Sequence, residues 1–282
     1  MKTPECLPTP AAMGAWSEAM RAQGKRIAFV PTMGALHDGH LALITAGKQR
    51  ADVVALSIFV NPTQFGPNED LEKYPRDLPG DLAKAGTVGA DLAFTPGVLD
   101  MYPPGAQTFV TVGDVATGLC GDLRPNHFRG VATIVCKLFN IVRPHVAIFG
   151  EKDYQQLAVI RRMTSDLDIP VEIVGHPIVR EADGLAMSSR NRYLSPADRV
   201  RALGLSQALR AAKSLREGGE TDARKLEAAA LVVLTPHVDR VDYLEVRDAL
   251  SLRPIDDARG PTVILVAAFI GATRLIDNLR IG

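Results

Sequence analysis

The strongest constraint on the fold is a short apolar run that passes through a glycine-containing turn into a second apolar segment. The run covers residues 26–30, the turn residues 31–40 and the second segment residues 41–46. This pattern predicts a buried strand, a tight turn and a helix. Backbone N–H groups and the positive end of the helix dipole meet where such a helix begins. The turn therefore favours phosphate binding.

Two histidines stand at the start of that predicted helix. His37 and His40 are three residues apart, so their side chains are expected to project from one side of the helix, roughly 5–6 Å apart. Gly34 and Gly39 leave room for a ligand. The pair suits a polyphosphate, and the alternative is an ordinary turn with two solvated histidines. A zinc site is disfavoured because no cluster of cysteine or histidine supplies a third ligand nearby.

Composition limits the class of protein. The 282 residues suffice for one large or two ordinary domains. Lys plus Arg equals Asp plus Glu at 32 each, so no general attraction to nucleic acid or anionic lipid is expected. Three cysteines without metal spacing predict reduced thiols in a cytoplasmic protein. No apolar leader is found at residues 1–5, and the apolar run 263–270 is too short to cross a bilayer.

A second apolar run at residues 52–60 predicts a parallel strand covered on both faces. Strand, helix and strand begin a Rossmann-like, doubly wound α/β sheet. Further strands are expected at 91–94, 109–112, 145–149 and 171–174. The pattern then changes to helices at 195–216 and 222–234 and extended segments at 242–246, 263–268 and 275–279. We therefore expect a parallel-sheet domain at residues 1–184 and a smaller α+β domain at 185–282, with the active cleft between them.

Polar residues follow several predicted strands. Asn61 and Gln64 are neutral amides that suit hydroxyl or carboxylate groups, although Asn61 also suits the start of a turn. Asp81 fits either a helix start or a carboxylate near a metal–phosphate group. Residues 118–130 form a glycine-rich polar stretch with Arg124 and His127, which predicts a functional loop or a basic loop without function.

Two later segments offer further anion ligands. Lys152 follows an apolar strand and a glycine and is placed to reach a phosphate, with Gln156 one helical turn beyond it. The alternative is a strand–helix turn with a surface lysine. Ser188, Ser189 and Arg190 combine neutral donors with one fixed charge, and the alternative here is a serine-rich helix cap.

Four segments, 31–40, 59–65, 149–156 and 184–191, occur in an order and spacing that resemble the pantothenate synthetase (pantoate–β-alanine ligase) family. That family belongs to the superfamily of HIGH-type nucleotidylyl transferases and class I aminoacyl-tRNA synthetases. The sequence 37–40 resembles the superfamily's His-x-Gly-His signature. The sequence 187–190 resembles its Lys-Met-Ser-Lys-Ser counterpart, with arginine in place of the second lysine. Asp38 departs from the usual apolar residue and is interpreted as a helix-start carboxylate.

The resemblance implies an ATP-dependent ligase that works in two steps. The pantoate carboxylate attacks the α-phosphate of ATP to give pantoyl adenylate and pyrophosphate. The amine of β-alanine then attacks the adenylate to give pantothenate and AMP. The resemblance also implies Mg²⁺, a homodimer formed through the N-terminal domain, and closure of the C-terminal domain as a lid over small-molecule substrates.

The resemblance carries over to individual residues of this sequence. The catalytic residues it implies are His37, His40, Lys152 and Arg190. The ATP-binding residues it implies are Met33, Gly34, His37, His40, Gly150, Lys152, Asp153, Val179, Met187, Ser188, Ser189 and Arg190. It further implies pantoate binding by Asn61, Gln64 and Gln156, contact of Arg124 and His127 with β-alanine or pyrophosphate, and a position near Mg²⁺ for Asp81.

Other functions remain as alternatives. A nucleotidylyl transferase could act on another small acceptor, but a phosphate acceptor calls for an added cation where Gln64 and Gln156 stand. A tRNA-charging enzyme fits less well, because the sequence shows no basic face and no anticodon-binding extension. A non-catalytic nucleotide sensor would bind ATP without releasing pyrophosphate.

Overall fold

The computed structural model describes residues 3–67, 69 and 71–282. The chain divides into two compact units. The first extends to Glu151 and also includes Val159–Pro177, and the second comprises Lys152–Ala158 and Ile178–Gly282. The second unit thus resumes at Ile178, before the predicted boundary at 184/185. It also takes in the short segment that carries Lys152.

The first unit contains a parallel sheet with the strand order β1-β4-β3-β2-β5-β6. Its strands are β1 (Glu5–Leu7), β2 (Ile27–Thr32), β3 (Val53–Ile58), β4 (Leu92–Phe94), β5 (Val146–Gly150) and β6 (Glu172–His176). Every strand pair is parallel. This confirms the predicted doubly wound sheet. The order reverses between β2 and β5, and in such folds ligands bind beyond the carboxyl ends of the strands at that reversal.

The helices of the first unit cover the sheet. They are α1 (Pro10–Ala22), α2 (Asp38–Lys48), α3 (Leu78–Thr87), α4 (Val98–Met101), α5 (Leu119–Leu123), α6 (His127–Val142) and α7 (Tyr154–Asp166), the last of which begins in the second unit. Residues 27–30 of β2 and 54–56 of β3 are completely buried. Burial on both faces explains why these strands are continuous apolar runs.

Two sequence-based expectations in this unit are wrong. Residues 109–112 form no strand, because Phe109 is exposed and the Val110 N–H bonds the Thr133 hydroxyl instead of a neighbouring strand. Residues 118–130 are not a simple loop, since they contain α5 and the first turn of α6. Strand β1 had no sequence signal, because three residues are too few to show periodicity.

The second unit is α+β, as expected. Strands β7 (Arg240–Asp248), β8 (Thr262–Ile270) and β9 (Thr273–Arg280) form an antiparallel sheet in the order β7-β8-β9. Helices α8 (Pro196–Glu217) and α9 (Ala223–Leu234) share one apolar cluster with it, which includes Leu205, Leu226 and Ile264. Ser195 caps α8 by accepting the Asp198 N–H. Among the described residues, none of the helices has the length and apolar character needed to cross a membrane.

Candidate active site

The turn after β2 requires a glycine at position 34. Gly34 has a φ of +84°, and a Cβ there would lie 2.9 Å from the Asp81 carboxylate and 3.1 Å from Ile58. Its N–H donates to the Thr32 hydroxyl, which itself donates to the Ser57 carbonyl. Ala35 follows with a φ of +52°, in a region that is costly for a residue with a side chain. The chain is thus held in an unusual path just before the two histidines.

Helix α3 holds this unusual path in place. The two oxygens of Asp81 accept the N–H groups of Ala35 at 2.8 Å and of Leu36 at 2.7 Å. Lys84, one turn later on α3, donates to the Leu36 carbonyl at 2.8 Å. Asp81 is 2 % exposed. It lies in the first turn of α3, as the helix-start interpretation expected, but its carboxylate serves the turn before His37 rather than its own helix.

His37 and His40 cap the start of α2. The Nδ1 atom of His37 accepts the Gly39 N–H at 3.1 Å, and Nδ1 of His40 accepts the His37 N–H at 3.3 Å. A ring nitrogen that accepts a hydrogen bond carries no proton, so both rings are neutral and hold their hydrogen on Nε2. The ring centroids lie 4.2 Å apart. The site therefore has two paired Nε2–H donors at the positive end of an 11-residue helix.

A second cluster forms after β3. Asn61, 1 % exposed, donates to the Gln64 side-chain oxygen at 3.0 Å and to the Gly130 carbonyl at 3.2 Å. Because that oxygen accepts, the Gln64 amide nitrogen points the other way and donates to the sulfur of Met33 at 3.1 Å. Asn61 also accepts from Thr63 within the turn, so the turn-capping alternative is correct. This cluster sets the orientation of the Gln64 amide.

Tyr102 supports Asn61 and was missed in the sequence. Its hydroxyl donates to the Asn61 side-chain oxygen at 2.8 Å. Burial raises the pKa of Tyr102, against smaller opposing effects of its hydrogen bonds with Thr63 and Asn61, so it stays a neutral donor. Tyr102 is 41 residues from Asn61, and no local pattern could have indicated this contact.

Arg124 and His127 lie against the backbone of Gln64. His127 Nδ1 lies 2.8 Å from the Gln64 carbonyl, and Arg124 donates to the same carbonyl at 3.3 Å and to His127 Nε2 at 3.1 Å. Arginine can only donate, so His127 accepts on Nε2 and carries its hydrogen on Nδ1. Arg124 also forms a two-pronged ion pair with Glu69. Burial would raise the pKa of Glu69, but the hydrogen bonds and charge of Arg124 hold it below the ordinary value.

In the second unit, Lys152 lies in the 3₁₀ turn Glu151–Asp153. Its backbone carbonyl accepts the Asn278 side-chain N–H at 2.9 Å. Lys152, Ser188, Asn191 and Asp277 are among the residues that line a cavity of about 10 Å³. A cavity of this size has room for about one water molecule. Lys152 and Ser188 are therefore close neighbours, although 36 positions separate them in the sequence.

The serine–arginine segment follows a small hairpin. The Met187 N–H donates to the Val179 carbonyl at 3.0 Å, which sets the position of the next residues. Ser188 accepts the Arg190 N–H at 3.3 Å and caps the 3₁₀ helix Ser189–Tyr193. The cap alternative is thus correct for Ser188. A capping hydroxyl does not exclude a role in phosphate binding, because it is also a hydrogen-bond donor.

The implied site residues are divided between the units. The first unit carries Met33, Gly34, His37, His40, Asn61, Gln64, Asp81, Arg124, His127 and Gly150, the last residue of β5. The second carries Lys152, Asp153, Gln156, Val179, Met187, Ser188, Ser189 and Arg190, with Gln156 in the first turn of α7. Within the described residues, no group of three or more His, Cys, Asp or Glu side chains could hold a metal ion.

Comparison with known proteins identifies relatives over nearly the whole chain. The family model described as pantoate–β-alanine ligase matches residues 5–280. Pantothenate synthetase of Myxococcus xanthus is 56 % identical over 99 % of this chain and 97 % of its own. Pantothenate synthetase 1 of Bradyrhizobium diazoefficiens is 58 % identical over 90 % of each.

Solved structures agree with these relatives. Pantothenate synthetase from Thermus thermophilus superposes with a TM-score of 0.92 at 45 % identity, covering 98 % of this chain and 99 % of the other. Pantoate–β-alanine ligase from Francisella tularensis, complexed with β,γ-ATP and β-alanine, has a TM-score of 0.80 at 33 % identity and covers 98 % and 97 %. These similarities over nearly the full length agree with the paired histidines and with the cluster of Asn61 and Gln64. The chain therefore belongs to the pantoate–β-alanine ligase family.

Proposed function

We propose that this enzyme joins pantoate to β-alanine at the expense of ATP and that the reaction passes through pantoyl adenylate. The observation that carries the proposal is the pair of Nε2–H donors on His37 and His40 at the start of α2. Fixed donors at the positive end of a helix suit a group whose negative charge grows during the reaction. The phosphates of ATP are such a group.

The first step joins a pantoate carboxylate oxygen to the α-phosphorus and breaks that atom's bond to the oxygen of pyrophosphate. His37 and His40 stabilise the charge that develops on the phosphates. Lys152, Ser188, Ser189 and Arg190 bind the triphosphate, and Met33, Gly34, Gly150, Asp153, Val179 and Met187 lie along the nucleotide. No covalent enzyme intermediate is required, because the adenylate formed in this step gives the acyl carbon AMP as a good leaving group for the second step. Positioning and charge stabilisation supply the catalysis.

Pantoate is held by Gln64 and Gln156. Asn61 helps to build that pocket, because its buried amide nitrogen donates to Gln64 and to the Gly130 carbonyl. Neutral amides orient a carboxylate without neutralising the charge that makes it a nucleophile. The Asn61 contact with the Gln64 oxygen supports this assignment, since it directs the Gln64 N–H groups away from Asn61. In the second step, the β-alanine amine attacks the acyl carbon of the adenylate, loses a proton and expels AMP.

The contacts of Arg124 and His127 support a role different from the expected contact with β-alanine or pyrophosphate. Both donate to the Gln64 carbonyl, and Arg124 is also paired with Glu69. We therefore assign them to the support of Gln64.

Asp81 does not fit direct coordination of Mg²⁺, because both of its buried oxygens already accept backbone N–H groups. We propose that Mg²⁺ is held through the ATP phosphates, as is common for this ion. Bound there, it neutralises part of the phosphate charge.

We also propose a homodimer formed through the first unit, located in the cytoplasm. Cys6, Cys120 and Cys136 form no disulfide in the described part of the chain, which supports a reducing compartment. Sedimentation velocity at micromolar concentration tests the dimer, and a single monomeric species contradicts it.

Pyrophosphate release from ATP and Mg²⁺ tests the reaction. Release that depends on pantoate, with AMP and pantothenate appearing once β-alanine is added, is the expected result. His40→Ala and Lys152→Ala are expected to abolish adenylate formation while the protein stays folded. Near-normal release from either variant contradicts that residue's role. No release with pantoate, but release once a different small acceptor is supplied, indicates a nucleotidylyl transferase.

A further inference from the structure

The last strand of the second unit contacts both segments that carry the proposed triphosphate ligands. We name Lys152, Ser188, Ser189 and Arg190 the triphosphate clamp. Asp277 and Asn278 are consecutive on β9 and are 3 % and 4 % exposed. We infer that these two residues are positioning residues for the triphosphate clamp. The inference rests on the proposed function, because it concerns how ATP is held.

Asn278 supports the Lys152 segment. Its side-chain N–H donates to the Lys152 carbonyl at 2.9 Å, across 126 residues of sequence. A lysine side chain is long and flexible, so the point from which it starts must be set by the backbone. Lys152 lies in a 3₁₀ turn of three residues, which has few hydrogen bonds of its own. A contact from outside the turn therefore contributes strongly to the position of the Lys152 backbone.

Asp277 supports the Ser188 segment through Arg180. The Arg180 guanidinium donates to the two Asp277 oxygens at 2.7 and 2.9 Å and also to the Gly184 carbonyl at 3.1 Å. A two-pronged arginine–carboxylate pair sets direction as well as distance. Arg180 pairs with Ala186 in the hairpin that leads directly into residues 187–190. Asp277 therefore anchors the base of the segment that carries three of the four clamp residues.

The two supports are connected. The backbone N–H of Asn278 donates to an oxygen of Asp277 at 2.8 Å. The small cavity lined by Lys152 and Ser188 is also lined by Asp277. Displacement of Asp277 is thus expected to affect both parts of the clamp, whereas loss of the Asn278 side chain acts mainly on Lys152.

A second ion pair in the same sheet provides a matched control. Arg274 on β9 donates to Asp242 on β7 at 2.7 Å, with side chains 20 % and 7 % exposed, compared with 26 % and 2 % for Arg180 and Asp277. The Arg274–Asp242 pair joins two strands, and the Arg180–Asp277 pair joins a strand to the hairpin. Asp242→Asn and Asp277→Asn make the same chemical change at similar burial.

The test is titration of the full-length wild-type and variant proteins with ATP by calorimetry, together with hydrogen exchange of the unliganded proteins. We expect Asp277→Asn to weaken ATP binding by on the order of tenfold or more and to speed exchange at residues 179–190, because a misplaced ligand loses much of its contribution. Asn278→Ala is expected to weaken ATP binding without faster exchange in the hairpin. Asp242→Asn is expected to keep the wild-type dissociation constant.

Three results would overturn the inference: wild-type affinity in Asp277→Asn and Asn278→Ala, an equal loss in Asp242→Asn, or a wild-type protein that does not bind ATP. Steady-state kinetics distinguish a failure of the positioning inference from a failure of the proposed function. In active protein, the KM for ATP is expected to rise in Asp277→Asn while the KM for pantoate stays the same. A wild-type protein that binds ATP but releases no pyrophosphate with pantoate contradicts the proposed function and leaves the positioning test intact.

Discussion

Removing the carboxylate charge of Asp81 tests whether α3 sets the path of the chain before the two histidines. Asp81 accepts the N–H groups of Ala35 and Leu36 from a position that is 2 % exposed. In Asp81→Asn, the side chain keeps its volume but has only one oxygen, so one of the two N–H groups faces the amide NH₂. In Asp81→Ala, both N–H groups lose their acceptor.

The expected loss of stability depends on how many buried N–H groups lose their acceptor. A buried donor without a partner costs about 1–3 kcal/mol, so Asp81→Asn should lower the free energy of unfolding by about that amount. Two such donors in Asp81→Ala should lower it by roughly 2–6 kcal/mol. Since domains are stable by about 5–15 kcal/mol, the asparagine variant should stay folded while the alanine variant approaches the limit. Displacement of His37 and His40 by about 1 Å should slow pyrophosphate release by on the order of 100-fold.

Urea unfolding measures the loss of stability, and pantoate-dependent pyrophosphate release measures the loss of activity. Asp77→Asn is the matched control, because Asp77 caps the same helix by accepting the Gly80 N–H at 3.1 Å. Asparagine caps helices as well as aspartate does, so this variant should behave like the wild type. The reasoning is refuted if Asp81→Asn unfolds at the wild-type urea concentration with normal activity, or if Asp77→Asn loses as much.

Two further variants test the cluster around Gln64. Arg124 holds the pKa of Glu69 below its ordinary value. The ion pair therefore stabilises the fold at pH values above the ordinary pKa, and this stabilisation is lost as the pH falls through the lowered pKa. Stability from about pH 5 to about pH 3 should therefore fall less in Glu69→Gln than in the wild type, and equal falls in urea titrations speak against the pair. Gly130→Ala places a Cβ 2.4 Å from the Thr63 carbonyl oxygen and should raise the KM for pantoate. Gly14→Ala, where the nearest atom is 3.9 Å away, should leave that KM unchanged, and an unchanged KM in Gly130→Ala contradicts the predicted displacement.

The sequence by itself determined the features that depend on neighbouring residues. Apolar runs identified β2, β3 and β5, because strands buried on both faces must be apolar throughout. Ser195 and Pro196 located the start of α8, because a capping hydroxyl and a proline suit the first helical turn. The spacing of His37 and His40 placed both rings at one helix end, as the structure has them.

Local patterns failed where the outcome depended on a distant partner. Residues 109–112 have the composition of a strand, but the described structure pairs them with none, and a strand requires a neighbour. The polar residues 118–130 suggested a loop, yet His127 is buried and donates to a carbonyl 63 residues away. Composition describes the residue itself, whereas burial depends on what folds over it.

Only the tertiary structure decided what supports the site residues. The Asp81 contact with Leu36 crosses 45 residues, the Arg180 contact with Asp277 crosses 97, and the Asn278 contact with Lys152 crosses 126. Hydrogen bonds require atoms to meet within about 3 Å, and no sequence pattern encodes such a meeting between distant segments. The sequence predicts which residue types bind and react, and these assignments remain predictions. The tautomers of these residues, their orientation and the residues behind them follow from how the chain packs.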